Sequence, residues 1–305
     1  MPAPIPVTLI GGYLGAGKTT LVNHLLHERG ERRIAVLVND FGELPIDDAL
    51  IESRDGPLLR LAGGCVCCSF GSDLMAALLQ MQALQPAPQH ILIETSGVAL
   101  PAAVARMLGL LQGVQLDARL VLADAETLRR QAADRYVGEL VREQLLQADL
   151  LLLNKTDLVA EDELPRLLGW LAGVAPQARV LCCRHARLPI ELLLGIGPVD
   201  TPAGQRAAVA DAATLFDSLS LEFDHRVDVA ALAAALVAPP WQLLRAKGLM
   251  HDRQGQACSL QLVGQRTVAA SLAQAAPARG RLVCIALRGQ LQAERLRAVL
   301  AACAV

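Results

Sequence analysis

Aromatic residues make up only 3% of this 305-residue chain, and histidine occurs six times without clustering. Basic and acidic residues nearly balance, 28 against 30, for a net charge of −2, and no basic tract stands out. Binding to nucleic acid draws on stacking aromatics and concentrated positive charge, so nucleic acid is excluded as a partner. No apolar run approaches the ~20 residues of a membrane-spanning helix, which excludes the membrane as well. The opening residues carry neither a basic region nor a cleavage site, so no export signal is expected. Eight cysteines at uneven spacing are too sparse for a disulfide framework. A cytoplasmic location follows, where clustered thiols serve metal or redox chemistry rather than stapling.

What the chain does have is aliphatic bulk. Hydrophobic residues are 53% and charged residues 19%, so a sizeable core of Leu, Val and Ala is expected. At about 100–200 residues per domain, the length suggests two domains. Short apolar runs at 5–11, 34–40, 90–97, 118–125, 149–157 and 178–183 read as strands. Between them lie helical stretches at 19–30, 72–84, 101–112, 127–147 and 161–173. Strands alternating with helices predict an α/β fold, a mostly parallel sheet with helices on both faces. Residues 1–198 form this first domain. Residues 199–214, rich in Pro, Gly and Ala, read as a linker. Residues 215–305 read as a smaller α+β domain, with strands at 219–223, 241–251, 257–263 and 281–289. Its helices fall at 226–238, stopped by Pro239 and Pro240, and at 292–302.

Three motifs sit at the ends of the predicted strands. The first runs from Gly12 through Gly15, Ala16, Gly17, Lys18 and Thr19 to Thr20, a P-loop pattern between a strand and a helix. Its glycines let backbone N–H groups curl around phosphate oxygens at a helix N-terminus. Lys18 reaches the β- and γ-phosphates, and the Thr19 hydroxyl binds Mg²⁺. The second is Asn154-Lys155-Thr156-Asp157. The Asp157 carboxylate can accept two hydrogen bonds from guanine, whereas adenine would leave it unpaired, so GTP is favoured over ATP. The third is Glu94-Thr95-Ser96-Gly97. Glu94 would hold Mg²⁺, directly or through water, and Gly97 can offer its N–H to the γ-phosphate. Lys18 and Glu94 are therefore candidate catalytic residues. Asp47 and then Glu43 are the candidates for orienting the attacking water, since both fall in the predicted switch segment 39–52.

These motifs, with Asn39-Asp40-Phe41-Gly42-Glu43 and Gly63-Gly64-Cys65-Val66-Cys67-Cys68, resemble the CobW-type GTPases. That family is related to the nickel-insertion GTPases of urease and hydrogenase. Arg245-Ala246-Lys247-Gly248 is similar to a signature of its C-terminal domain, so the resemblance spans nearly the whole chain. It implies that Cys65, Cys67 and Cys68 bind zinc or cobalt. It also implies that GTP hydrolysis controls delivery of that metal to a client metalloprotein, with the second domain selecting the client. The sequence departs from the family at Asp40, where Glu is usual, and in lacking a histidine-rich segment.

Three thiolates at spacing i, i+2 and i+3 converge on one ion only if the backbone turns, which Gly63 and Gly64 permit. They leave a tetrahedral site one ligand short, to be completed by water, a carboxylate or the client. An open position suits transfer. Soft thiolates favour zinc or Cu(I), and cobalt is compatible. A redox switch and plain packing are the competing readings of the three thiols. A metal sensor or buffer that binds GTP without productive transfer is the alternative function. An ATP-using enzyme such as a kinase would leave Asn154–Asp157 without a purpose. A homo-oligomer is compatible with the sequence. Cys182, Cys183 and His185 read as a strand end and a loop flanking the base. Cys258, Cys284 and Cys303 read as buried. His24, His27, His90, His225, His251 and Lys247 are assigned no chemistry.

Overall fold

The structure, a computed structural model, describes residues 4–39, 58–61, 70–194, 216–238, 242–272 and 279–305. Asp40, Phe41, Gly42, Glu43, Asp47 and Gly63–Cys68 lie outside the described residues, as do the linker, Pro239, Pro240 and Trp241. The chain divides into two compact units, residues 2–187 and 188–305.

The first unit begins with β1 (Ile5–Gly11), α1 (Lys18–His27), β2 (Ile34–Asn39), β3 (Leu58–Leu61) and α2 (Phe70–Ala83). It continues with β4 (His90–Glu94), α3 (Pro101–Leu108), β5 (Val114–Asp124), α4 (Leu128–Ala133) and α5 (Gly138–Leu146). It ends with β6 (Leu150–Asn154), α6 (Glu163–Val174) and β7 (Arg179–Cys182). Among the described residues the sheet has seven strands in the order β3-β2-β4-β1-β5-β6-β7. Every pairing is parallel, in keeping with the mostly parallel sheet expected.

The strands are apolar along their length because both faces are covered. Val7 and Leu9 pack in one cluster with Leu74, Leu78 and Met81 of α2 and Val104 and Leu108 of α3. The alternate residues Thr8 and Ile10 point to the opposite face and are equally buried. Val121, Leu151 and Leu153 meet Val141 and Leu145 of α5 and Leu167 and Leu171 of α6. The connection after β1 runs to β2 on one side, whereas that after β4 passes to β5 on the other. Ligands of open α/β sheets bind outside the strand carboxyl ends at such a reversal. Gly12 and Thr95 follow those ends directly.

Several features depart from the expected elements. The single helix expected at 127–147 is two, α4 and α5. The break is at Asp134, whose Oδ1 accepts the N–H groups of Tyr136 (2.8 Å) and Val137 (3.1 Å). A short acidic side chain that bonds the next backbone amides starts a new helix instead of continuing the old one. The bond from Tyr136, then that from Val137, holds its carboxyl below the usual range. Second, a bulge interrupts β5: Val7 pairs with Leu116 but Thr8 with Ala118, leaving Asp117 as the extra residue. The bulge brings Asp117 Oδ2 to 3.4 Å from the Thr8 hydroxyl, which also lies 2.8 Å from His90 Nε2. All three side chains are buried, so this is a polar knot inside the sheet. Third, β3 and the short helix α7 (Ile190–Leu194) were not anticipated from periodicity, being too short to show any.

The second unit holds α7, β8 (Phe216–Phe223), α8 (Val229–Val237), β9 (Leu243–His251), β10 (Ala257–Val263), β11 (Arg266–Ser271), β12 (Gly280–Leu287) and α9 (Ala293–Ala302). Its described strands form an antiparallel sheet ordered β11-β10-β9-β12-β8. Leu232 and Leu236 of α8 and Leu296 and Leu300 of α9 share one core with Leu221, Leu260 and Leu282 of the sheet. Asp228 caps α8 by accepting the Ala231 N–H at 3.0 Å. The edge strand β11 escaped the sequence reading because its residues are small and largely exposed. Arg245, part of the C-terminal signature, is 1% exposed, and its guanidinium donates to the Leu193 carbonyl. No helix among the described residues is long and apolar enough to cross a membrane.

Candidate functional site

The turn after β1 is built for backbone donors. Gly12, Gly15 and Gly17 all have positive φ (129°, 77° and 102°), a region that favours glycine. A Cβ at Gly12 would lie 2.2 Å from the Leu122 carbonyl oxygen, and one at Gly17 2.6 Å from Asn154 Nδ2. At Gly15 the same atom would meet nothing within 4 Å. Lys18 is the first residue of α1 and is 9% exposed, and its Nζ donates across the loop to the Tyr13 carbonyl at 3.5 Å. Thr20 is exposed on the same helix.

Thr19 and Glu94 meet. The Thr19 hydroxyl donates to Glu94 Oε1 at 3.0 Å, joining the first turn of α1 to the end of β4. Glu94 is buried, as are Thr95 and Ser96 after it. The Thr95 N–H donates to the Ile10 carbonyl at 2.9 Å, which keeps this segment beside the P-loop. Gly97 touches that loop: a Cβ there would be 2.4 Å from Leu14 Cδ2 and 3.0 Å from the Leu14 nitrogen. A hydroxyl and a carboxylate are the hard oxygen donors that Mg²⁺ prefers, and the glycine cradle leaves backbone room for phosphates. The residues present therefore fit a magnesium–nucleotide group.

On the other side of the P-loop, Asn154 ends β6 and is 2% exposed. Its Nδ2 donates to the Ala16 carbonyl at 3.0 Å, and its Oδ1 accepts the Ala186 N–H at 2.8 Å. One side chain thus ties the P-loop to the loop after β7. Lys155 has φ 60°, and its Nζ pairs with Asp124 Oδ2 at 2.8 Å. Thr156–Leu158 form a single 3-10 turn that leaves Asp157 exposed. The Thr156 hydroxyl donates to the Cys183 carbonyl at 3.2 Å. The loop containing His185 and Ala186 therefore stands beside Asn154–Asp157.

Sequence reading missed Asp124, Gln144 and Ala186. Asp124 had a faint signal, an acid closing an apolar strand as Glu94 does. Its Oδ1 also accepts the Glu126 N–H at 3.0 Å. Gln144 and Ala186 had none, since a lone glutamine on a helix reads as surface and an alanine in a loop reads as nothing.

Among the described residues, no group of three His, Cys, Asp or Glu side chains is placed to hold a metal ion. Burial first, then the neighbouring Cys182, pushes the Cys183 thiol up to about 12. It is a neutral thiol at pH 7, and its Sγ faces Asn154 Oδ1 at 3.7 Å. Alkylation of Cys183 by iodoacetamide at pH 7.5 is expected to run at least about tenfold slower than in urea, because only the thiolate reacts. Mass spectrometry of the labelled peptide checks this, and equal rates would contradict the burial.

The sequence matches the family model of the CobW/HypB/UreG nucleotide-binding domain over residues 6–182. Residues 216–304 match the cobalamin synthesis protein cobW C-terminal domain. The chain is 32% identical over 267 residues to the zinc chaperone YjiA of Escherichia coli, covering 81% of this chain and 82% of that protein. It is 33% identical over 226 residues to the zinc chaperone CobW of Pseudomonas aeruginosa, covering 64% of this chain and 60% of that one. A zinc-regulated GTPase metalloprotein activator 1 of Dictyostelium discoideum is 28% identical over 64% of this chain and 49% of its own length. The chain thus spans less than two thirds of two of these relatives. The crystal structure of zinc-bound YjiA GTPase from E. coli shares the fold over the full length of both chains, with a TM-score of 0.50 at 24% identity. Both domains and a relative matched over four fifths of its length lead to one conclusion: this chain belongs to the CobW/HypB/UreG family of P-loop GTPases.

Proposed function

We propose that this protein hydrolyses GTP to GDP and phosphate and, under control of the bound nucleotide, passes a zinc or cobalt ion to a client metalloprotein. The observation that carries the nucleotide half is the Thr19–Glu94 bond beside the glycine turn, with Asn154 holding that turn from the other side. The metal half is supported by relatives named as zinc chaperones and as a zinc-regulated activator. Cys65, Cys67 and Cys68 hold the ion as cargo, and the C-terminal domain selects the client in a reducing cytoplasm.

Lys18 and the N–H groups of residues 12–19 hold the β- and γ-phosphates and offset the charge that develops on the leaving oxygens. Thr19 and Glu94 would hold Mg²⁺, which when bound neutralises phosphate charge. Asp157 accepts from the guanine edge. Asp47 or Glu43 orients the water. No arginine is placed by sequence to assist, so unassisted turnover is on the order of 10⁻⁴ to 10⁻² s⁻¹.

The cysteine motif lies in sequence between the switch segment and Glu94, so loss of the γ-phosphate changes the grip on the ion. Zinc affinity, measured by chelator competition, is expected to differ about 5- to 150-fold between the GDP form and the form with a non-hydrolysable GTP analogue. Equal affinities would remove the coupling. GTP binding without turnover, even with zinc present, would favour a sensor or buffer instead.

A further inference from the structure

Gln144 sits in the last turn of α5, on the stripe that Val141 and Leu145 bury against the sheet, and it is 1% exposed. A buried amide is costly unless its donors are used. Gln144 uses both in one place: Nε2 donates to the Gly97 carbonyl at 3.0 Å and to the Ala99 carbonyl at 2.9 Å. Two carbonyl acceptors also settle which end of the amide is nitrogen. One helical turn on, Gln147 Oε1 accepts the Ala102 N–H at 2.9 Å. α5 therefore grips the strap that leads from β4 to α3 at residues 97, 99 and 102, while the sheet holds its start at Thr95. Gly97 is caught between the two, with its carbonyl on Gln144 and its Cα against Leu14 of the P-loop.

We propose that Gln144 is a positioning residue that makes the site prefer a nucleoside triphosphate to a diphosphate, by anchoring the strap through the carbonyls of Gly97 and Ala99 and so holding Gly97 where the terminal phosphate arrives. The inference rests on the GTPase reading above and on Gly97 offering its N–H to that phosphate. A donor aligned in advance contributes its full hydrogen bond, whereas a loose one must first be ordered. GDP has no γ-phosphate and does not sense the strap.

Gln144→Met keeps the length and removes both donors, and Gln144→Glu keeps the shape and replaces the donors with acceptors. Each is expected to weaken binding of a non-hydrolysable GTP analogue about tenfold while GDP affinity stays within about twofold. Retained GDP binding doubles as proof of folding. Equal weakening of both nucleotides would mark a merely structural residue and overturn the proposal, as would no change in either. If the unaltered protein binds neither nucleotide, the GTPase reading itself falls, and this inference with it. Hydrogen exchange in the unaltered protein gives a test that needs no variant. The Gly97 amide is expected to exchange more slowly with the analogue than with GDP, and equal exchange would overturn the assignment.

Discussion

GTP hydrolysis by a Lys18→Ala protein is expected to fall by about 10²- to 10³-fold, the loss that follows removal of one donor aimed at developing charge. Lys18 is the side-chain cation of the P-loop, and its position at the first residue of α1 sets the ammonium over the loop. That ammonium reaches the Tyr13 carbonyl in the structure, a weak 3.5 Å contact that a phosphate oxygen would readily replace. Alanine is the best helix former, so α1 should persist and the loss should fall on chemistry rather than folding. Single-turnover hydrolysis together with circular dichroism checks this. A folded Lys18→Ala protein that works at the parental rate would sink the phosphate assignment.

Asn154→Ala is expected to lower stability by about 2–6 kcal/mol, and nucleotide affinity with it, because it strips two buried backbone groups of their partner at about 1–3 kcal/mol each. Those groups are the Ala16 carbonyl and the Ala186 N–H, both on residues 2% exposed or less. The amide also fills the space against Gly17, where a Cβ would come within 2.6 Å of Nδ2. Asn154→Asp should do little better: it keeps the acceptor for Ala186 but sets a carboxylate oxygen against the Ala16 carbonyl. Urea unfolding with and without GDP separates the two losses. A shift below about 0.5 kcal/mol would show that this clamp is replaceable, since that is the range of surface changes.

The nucleotide motifs were readable because their chemistry is local. Three glycines, a lysine and a threonine within eight positions demand positive φ at Gly12, Gly15 and Gly17, and all three have it. The alternation of apolar runs and helical stretches reports burial on both faces of each strand, which is why the parallel sheet was legible. Glu94, Asn154 and Lys155 were legible as polar residues closing such runs. The loop after β7 does lie against Asn154 and Thr156, but Ala186 could not be picked out, since its backbone N–H makes the contact. The split of α4 from α5 was missed because Asp134 competes for the backbone through its side chain, an effect that leaves hydrophobic periodicity intact.

By itself, the order of residues determined the sheet's class, the glycine turn after β1 and the polar end of β6, since each follows from conformational preference or burial over a few consecutive positions. Only the tertiary structure decided that Thr19 bonds Glu94, that Asn154 bridges Ala16 to Ala186, that Lys155 pairs with Asp124, and that Gln144 grips Gly97 and Ala99. These partners are separated by tens of residues in the chain, from 31 for Asp124 and Lys155 to 138 for Ala16 and Asn154. No short-range spacing encodes such pairs. They arise where strand ends converge, and there a buried amide or carboxylate must take whatever donor or acceptor the packing brings within reach.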